Sequence, residues 1–272
     1  MSRLLSLSSL AKYWLIFKMY WQNLLTYPLN FVFWRLRQML GTFTSLTFWS
    51  VVFVGTGSAF GYDRTDMISY IFLTSFLQSF VLSTLLNGLA QDVYTGEISN
   101  TLVKPIRMFG VWITQEIADK SMNLFFVILE SLFLFWVFKP QIILPPTPQL
   151  LVFLVAAFLG AVILFYIMLL FGTLGFWTQE TWGIRFLFFM ILDFTAGKLY
   201  PLDILPELVK KVLFITPFPY LAYSQTQLFL GKYSPTEVVH VFIALITWVL
   251  VLAGLFHILW KRGLKEYGAV GR

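Results

Sequence analysis

Within the long apolar stretches of this 272-residue sequence, the candidates for acid–base or ligand chemistry are Glu130, Asp193, Lys198, His240 and His257. Their spacing matches no hydrolytic or metal-binding pattern. The histidines stand 17 residues apart, and no H-E-x-x-H, H-x-x-x-H or Ser–His pairing occurs among these residues. With no cysteine, disulfides, thiolate zinc sites, iron–sulfur clusters and a cysteine nucleophile are excluded. Asp63-x-x-Asp66 falls in a short polar stretch and reads as a solvated turn. A phosphate-binding loop requires G-x-x-x-x-G-K-[ST]. Gly197-Lys198-Leu199 and Gly231-Lys232-Tyr233 lack both the preceding glycine and the hydroxyl residue. The sequence therefore predicts no enzyme and no cofactor in this chain; the chemistry left is binding. A carboxylate facing lipid is costly, so Glu130 and Asp193 are expected to face the protein interior or a hydrated cavity. Two roles stay open for them. They satisfy neighbouring hydroxyls or pair with Lys198, or they line a translocation path that favours cationic or hydrogen-bonding cargo, with Phe126, Phe189 and Phe194 covering its apolar part.

The elements that must hold these residues follow from composition. Apolar residues make up 58% of the chain and charged ones only 12%, with a mean hydropathy of +0.79. A soluble domain carries about twice that share of charge, so lipid is the solvent for most of this protein. The net charge of +6 comes without any basic run that could track a phosphate backbone, which excludes nucleic acid as a partner. A bilayer core needs about 20 apolar residues per helix. Six stretches meet or approach that: 36–54, 67–89, 112–138, 150–177, 182–199 and 238–260. The expected fold is an all-α integral membrane protein with six transmembrane helices, a single transmembrane domain over 1–272. No cleavable leader is expected at the N-terminus, and no internal repeat is visible.

Thirteen of the 19 Lys and Arg fall in segments on the N-terminal side of this topology and six on the other, which places both termini in the cytoplasm. Ahead of the first span, Leu10, Trp14, Phe17, Trp21 and Leu24 share one helical face until Pro28, predicting an amphipathic interfacial helix over 8–27. A polar cytoplasmic loop, 91–111, holds a short helix between Gly96 and Pro105. An outer segment, 200–236, is rich in proline yet apolar between its prolines, and is expected to re-enter the membrane before the last span.

Two motifs then carry a resemblance. One is Gly96-Glu97 followed by Leu102-x-x-Pro105. The other is Gly197-x-x-x-Pro201-x-x-x-x-Pro206, followed by Pro217-Phe218-Pro219-Tyr220 and Gly231. Placed in this topology, the sequence resembles the membrane permease of a type-2 ATP-binding cassette (ABC) exporter. The resemblance implies that Gly96, Glu97, Ile98, Leu102 and Pro105 form a coupling helix, with Ile98 and Leu102 as its packing face toward an ATPase. It implies that Gly197, Pro201, Pro206, Pro217 and Pro219 shape the outer segment above a translocation path. It further implies ABC ATPase subunits as partners, which would hold the ATP and magnesium, a second permease, identical or related, and a bacterial plasma membrane. An ion- or proton-coupled transporter or channel is the alternative reading, resting on the intramembrane carboxylates; a membrane-embedded enzyme stands behind it.

Overall fold

The computed structural model describes residues 9–26, 28–55, 57–104 and 106–267. Helix α1 (Ser9–Thr26) is followed directly by α2 (Pro28–Val52). Proline fits a first helical turn, where its missing N–H is not needed, but not a helix interior. Pro28 therefore starts α2 eight residues before the apolar run at 36–54. A two-residue hairpin, β1 (Ser58–Ala59) with β2 (Tyr62–Asp63), turns the chain into α3 (Arg64–Phe80). The Asp63 carboxylate caps α3 by accepting from the Asp66 amide at 2.6 Å.

The expected continuous span 67–89 is corrected here. Helix α3 stops at Phe80, the chain unwinds through 81–85, and it resumes as a 3-10 turn (Leu86–Gly88) and α4 (Leu89–Tyr94). Ser83 and Thr84 bond locally and compete with the helical ladder: Ser83 Oγ donates to the Ser79 carbonyl at 2.8 Å. An interruption inside an apolar solvent persists only where protein groups satisfy the freed backbone. Glu116 Oε1 accepts from Thr84 Oγ1 at 2.5 Å and from the Leu85 amide at 3.1 Å. Lys120 Nζ donates to the Ser83 carbonyl at 2.9 Å and lies 3.3 Å from Glu116 Oε2.

After α5 (Ile98–Leu102) come α6 (Met108–Phe138), ended by left-handed Lys139, and α7 (Thr147–Thr173) with a 3-10 extension, Leu174–Phe176. Helix α8 (Trp182–Thr195) leads into 3-10 turn Leu202–Ile204, α9 (Glu207–Leu213), 3-10 turn Phe218–Leu221 and α10 (Tyr223–Leu230). Helix α11 (Pro235–Glu266) opens on a capping box between Ser234 and Glu237.

Among the described residues, three helices are long and apolar enough to cross a bilayer: Met108–Phe138, Thr147–Phe176 and Pro235–Glu266. The other three stretches give the 25-residue α2, the 17-residue α3 and the 14-residue α8. At ~1.5 Å per residue, α8 reaches only about 21 Å of a ~30 Å core. Helix α7 forms the middle of the bundle and packs against α11, α10 and α4. Large apolar side chains such as Phe125, Ile128, Leu132 and Trp136 on α6 point outward, as in a protein solvated by lipid.

Contacts along α6 fix the direction of its neighbours. The Arg107 amide donates to Tyr13 at 3.3 Å, Gln115 donates to Tyr20, and the Trp21 indole donates to Ser121 at 2.9 Å. Further on, Phe31 packs on Phe126 and Phe43 on Phe138. Both sets advance together, so α1 and then α2 run alongside α6 in its own direction. Tyr13 near one end of the chain and Tyr267 near the other meet the same loop, 95–107. We call this the terminal end of the bundle, and the opposite one the hairpin end.

Candidate functional site

Two gatherings of charged groups lie along α2. The first is the seam where α2, α3 and α6 meet. Arg35 donates to both oxygens of Glu130, Nε to Oε1 and Nη2 to Oε2, each at 2.7 Å. Its Nη1 reaches Asn123 Oδ1 at 3.2 Å, Gln38 Oε1 at 3.3 Å and Ser79 Oγ at 3.4 Å. Gln38 donates in turn to Ser79 at 2.8 Å. The side chains of Arg35 and Glu130 are only 5% and 14% exposed. A two-pronged pair of this kind fixes geometry as well as charge. Glu130 is therefore committed to Arg35.

The second place is a groove on the other side of the same helices. A cavity of about 290 Å³ is lined by Arg37, Gln38, Thr42 and Ser45 of α2, by Thr74, Ser75 and Gln78 of α3, and by Asp193 and Lys198 at the end of α8. Trp34, Ile71 and Leu199 supply its apolar wall. Asp193 pairs with Lys198 at 2.8 Å, as the bland expectation for it had it, yet both remain about a quarter exposed (30% and 24%). Of the two carboxylates singled out from sequence, Asp193 faces this groove and Glu130 does not line it.

At the terminal end, Gly96 adopts the left-handed region at φ +82°, and a Cβ there would stand 3.6 Å from the Tyr267 hydroxyl. Ser99 and Tyr267 share a hydrogen bond of 3.1 Å. Helix α4 is pressed onto the Leu174–Phe176 turn so closely that a Cβ on Gly175 would meet the Ala90 carbonyl at 2.1 Å. The outward packing face expected of Ile98 is corrected: Ile98 is buried with Leu89, Val93 and Trp112 in the core of this chain. It turns inward because α5 must cover the apolar end of α4. The Leu102 side chain and the whole of Pro105 lie outside the described residues. Among the described side chains of this loop, Thr95, Glu97, Asn100, Val103 and Lys104 are exposed.

At the hairpin end, Gly197 takes φ +75°, where a Cβ would come within 2.6 Å of Tyr223 Cβ, and its carbonyl accepts from the Tyr70 hydroxyl. The prolines of the expected outer segment stand at or near the starts of its helical turns. Buried Pro201 precedes Leu202–Ile204, exposed Pro206 precedes α9, Pro217 precedes Phe218–Leu221, and buried Pro219 lies within that turn. From Pro219 to Leu228 the chain is buried throughout. Asp203 ties this segment down: it accepts from Tyr62 at 2.6 Å, Tyr223 at 2.7 Å, Lys210 at 2.5 Å and Gln227 at 3.1 Å. Burial pushes the Asp203 carboxyl up, but the bonds from Lys210, Tyr62 and Tyr223 outweigh it and hold the group below the ordinary carboxylate range.

Sequence reasoning missed Arg35 as the partner of Glu130, the Glu116–Lys120 support of the break in α3, and the Asp203 cluster. For Arg35 a signal existed: Leu29 and Phe31-Val32-Phe33-Trp34 make the run before it apolar, so it belongs inside a helix rather than at its edge.

A family model described as ABC-2 family transporter protein matches residues 39–271. The match begins within α2, after Arg35 and Arg37. A comparison with curated proteins gave no match. Matched over most of its length and carrying helices apolar enough to cross a bilayer, the chain belongs to the ABC-2 transporter family and is a membrane protein of the permease kind.

Proposed function

We propose that this chain is the transmembrane subunit of an ABC-type exporter, forming the translocation path within a permease dimer while separate ATPase subunits bind ATP and magnesium. In this reading six segments cross the membrane, with α2, α3 and α8 completing the three long helices, in a bacterial plasma membrane. Both termini are cytoplasmic, 8–27 is an interfacial helix, 91–111 is the coupling loop and 200–236 is a re-entrant outer segment. Helix α1 runs along the part of α6 that precedes Ser121, where Glu116, Asp119 and Lys120 sit, so in this reading it stands beside the polar foot of α6 and not flat on the surface. The observation that carries the reading is the terminal-end loop. Held by Tyr267, by Tyr13 and by the close seat of α4, it offers Glu97, Asn100 and Val103 outward on a footing that does not yield. A motor moves a membrane domain only through such an element.

The two ion pairs favour this over an ion-coupled carrier, because Arg35 occupies Glu130 and Lys198 occupies Asp193. The test is to purify the full chain in detergent, identify the proteins that accompany it and measure their ATP hydrolysis. Val103 is 75% exposed. Val103→Asp should abolish stimulation of the ATPase without changing the melting temperature of the permease. Hydrolysis or transport by the chain without a second protein would overturn the reading, and full stimulation with Val103→Asp would remove the loop from it.

A further inference from the structure

The groove between α2, α3 and the end of α8 has a charge balance opposite to the one its carboxylate suggests from sequence. Asp193 is neutralised by Lys198, 2.8 Å away. That leaves Arg37, on whose guanidinium no ion pair or hydrogen bond falls among the described residues. Arg37 lies two residues, or about 3 Å, along α2 from Arg35. Arg35 is level with Glu130, itself eight residues from the end of α6, so Arg37 sits on the order of 10 Å inside that boundary. An unpaired guanidinium at such depth is costly in lipid and calls for an anion or a hydrated cavity. The remaining lining is made of neutral hydrogen-bonding groups: the hydroxyls of Thr42, Ser45, Thr74 and Ser75, and the amides of Gln38 and Gln78. Ser45 and Ser75 are half-buried in this lining, and each hydroxyl can both donate and accept, so the wall can meet a hydroxyl-bearing ligand in either sense. Trp34 stands at the same wall with its apolar ring.

We infer that this groove binds an organic anion that carries hydroxyl groups: Arg37 holds the negative charge, the hydroxyls of Ser45 and Ser75 meet those of the ligand, and Trp34 covers an attached apolar part. This rests on the reading of the groove as part of a translocation path, and it names the cargo class of that path. At about 30 Å³ for each water-sized group, 290 Å³ admits roughly ten such groups. That is the size of a headgroup or a small hydroxylated acid, not of a polymer coil. A lipid headgroup and a soluble anion share this chemistry. Loading the groove displaces no covalent bond, and the Asp193–Lys198 pair stays available to open and lend its ammonium to a second negative oxygen.

The experiment uses the full chain in detergent, with ligand retention read by native mass spectrometry, so that it does not depend on any ATPase. Four probes are titrated: phosphatidylglycerol, phosphatidylmethanol and phosphatidylcholine with the same acyl chains, and soluble glycerol 3-phosphate. Phosphatidylglycerol should be retained over phosphatidylcholine, Arg37→Gln should weaken retention by about tenfold, and Arg37→Lys should restore most of it. Ser45→Ala with Ser75→Ala should weaken phosphatidylglycerol but leave an acidic lipid without hydroxyls, phosphatidylmethanol, unchanged. Retention of glycerol 3-phosphate at comparable concentration assigns a soluble anion, and its failure beside bound phosphatidylglycerol assigns a lipid headgroup. Equal retention of phosphatidylglycerol and phosphatidylcholine, or retention untouched by Arg37→Gln, overturns the inference. So does an Arg37→Gln variant that keeps phosphatidylglycerol but no longer associates with a second permease, since the arginine then serves a subunit contact. Co-purification of an ATPase is scored separately: its absence with selective retention intact removes the transporter reading and leaves the binding site standing.

Discussion

Arg35 and Arg37 stand two residues apart on one helix and meet opposite surroundings. In the seam, Arg35 is nearly sealed and spends all its donors on Glu130, Asn123, Gln38 and Ser79. In the groove, Arg37 is exposed and Lys198 holds Asp193 through a single contact, both partners keeping about a quarter of their surface open. The same residue types thus serve as a fixed fastening in one region and as a displaceable one in the other. The difference comes from helical geometry: a two-residue step turns a side chain by about 200°, to the far side of α2.

The comparison breaks first at Glu130. Glu130→Gln leaves the buried guanidinium of Arg35 without a counter-charge and should lower stability by about 3–5 kcal/mol, read as a fall in melting temperature of the detergent-solubilised permease. Replacing both partners by apolar residues of similar volume, Arg35→Met with Glu130→Leu, should recover most of that loss, and failure to recover would show that Asn123 and Gln38 need the arginine themselves. Next comes the break in α3. Glu116→Ala strips Thr84 and the Leu85 amide of their acceptor and should cost about 1–3 kcal/mol, with faster hydrogen exchange confined to 81–88.

A third, smaller effect follows pH at the hairpin end. The Asp203 carboxyl titrates below its unfolded value, so its contribution is present above about pH 4 and is lost as pH falls through the folded value. Proteolytic resistance of 200–230 should therefore hold from pH 7 down to about 4 and decline below it, and Asp203→Asn should make the segment sensitive at neutral pH. The smallest effect is expected in the groove. Asp193→Asn should change stability by no more than about 1 kcal/mol, because a part-exposed single-contact pair contributes little. A melting shift as large as that of Glu130→Gln would erase the distinction between seam and groove.

The helix-forming stretches were legible because runs such as 150–177 exceed any strand and lack breakers. The break after Phe80 was not, since Val81-Leu82 and Leu85-Leu86 keep the run apolar and only two hydroxyls interrupt it. What ends the helix is support from Glu116 and Lys120, some 31 to 37 residues away in sequence. For the same reason Glu116 and Lys120 read as surface charges near a helix start. Asp193 with Lys198 was within reach because five residues separate them along one strand of chain. Arg35 with Glu130 was not, since 95 residues lie between and only the parallel course of α2 and α6 brings them level. Ile98 looked available for an external partner because spacing along a five-residue helix cannot say which side its own protein covers.

Tyr267 reaches back across 168 residues to Ser99 and stands over Gly96. During synthesis the loop at 95–104 leaves the ribosome long before the residue that fastens it: α4 gains the Leu174–Phe176 turn to rest on first, while Tyr267 is still to be made. The loop's final seat is thus acquired late, after α11 is in place. A folding monitor placed at residue 99 should report its native signal only once translation has passed residue 267, so this loop becomes a working surface only after the helix that fastens it has been made.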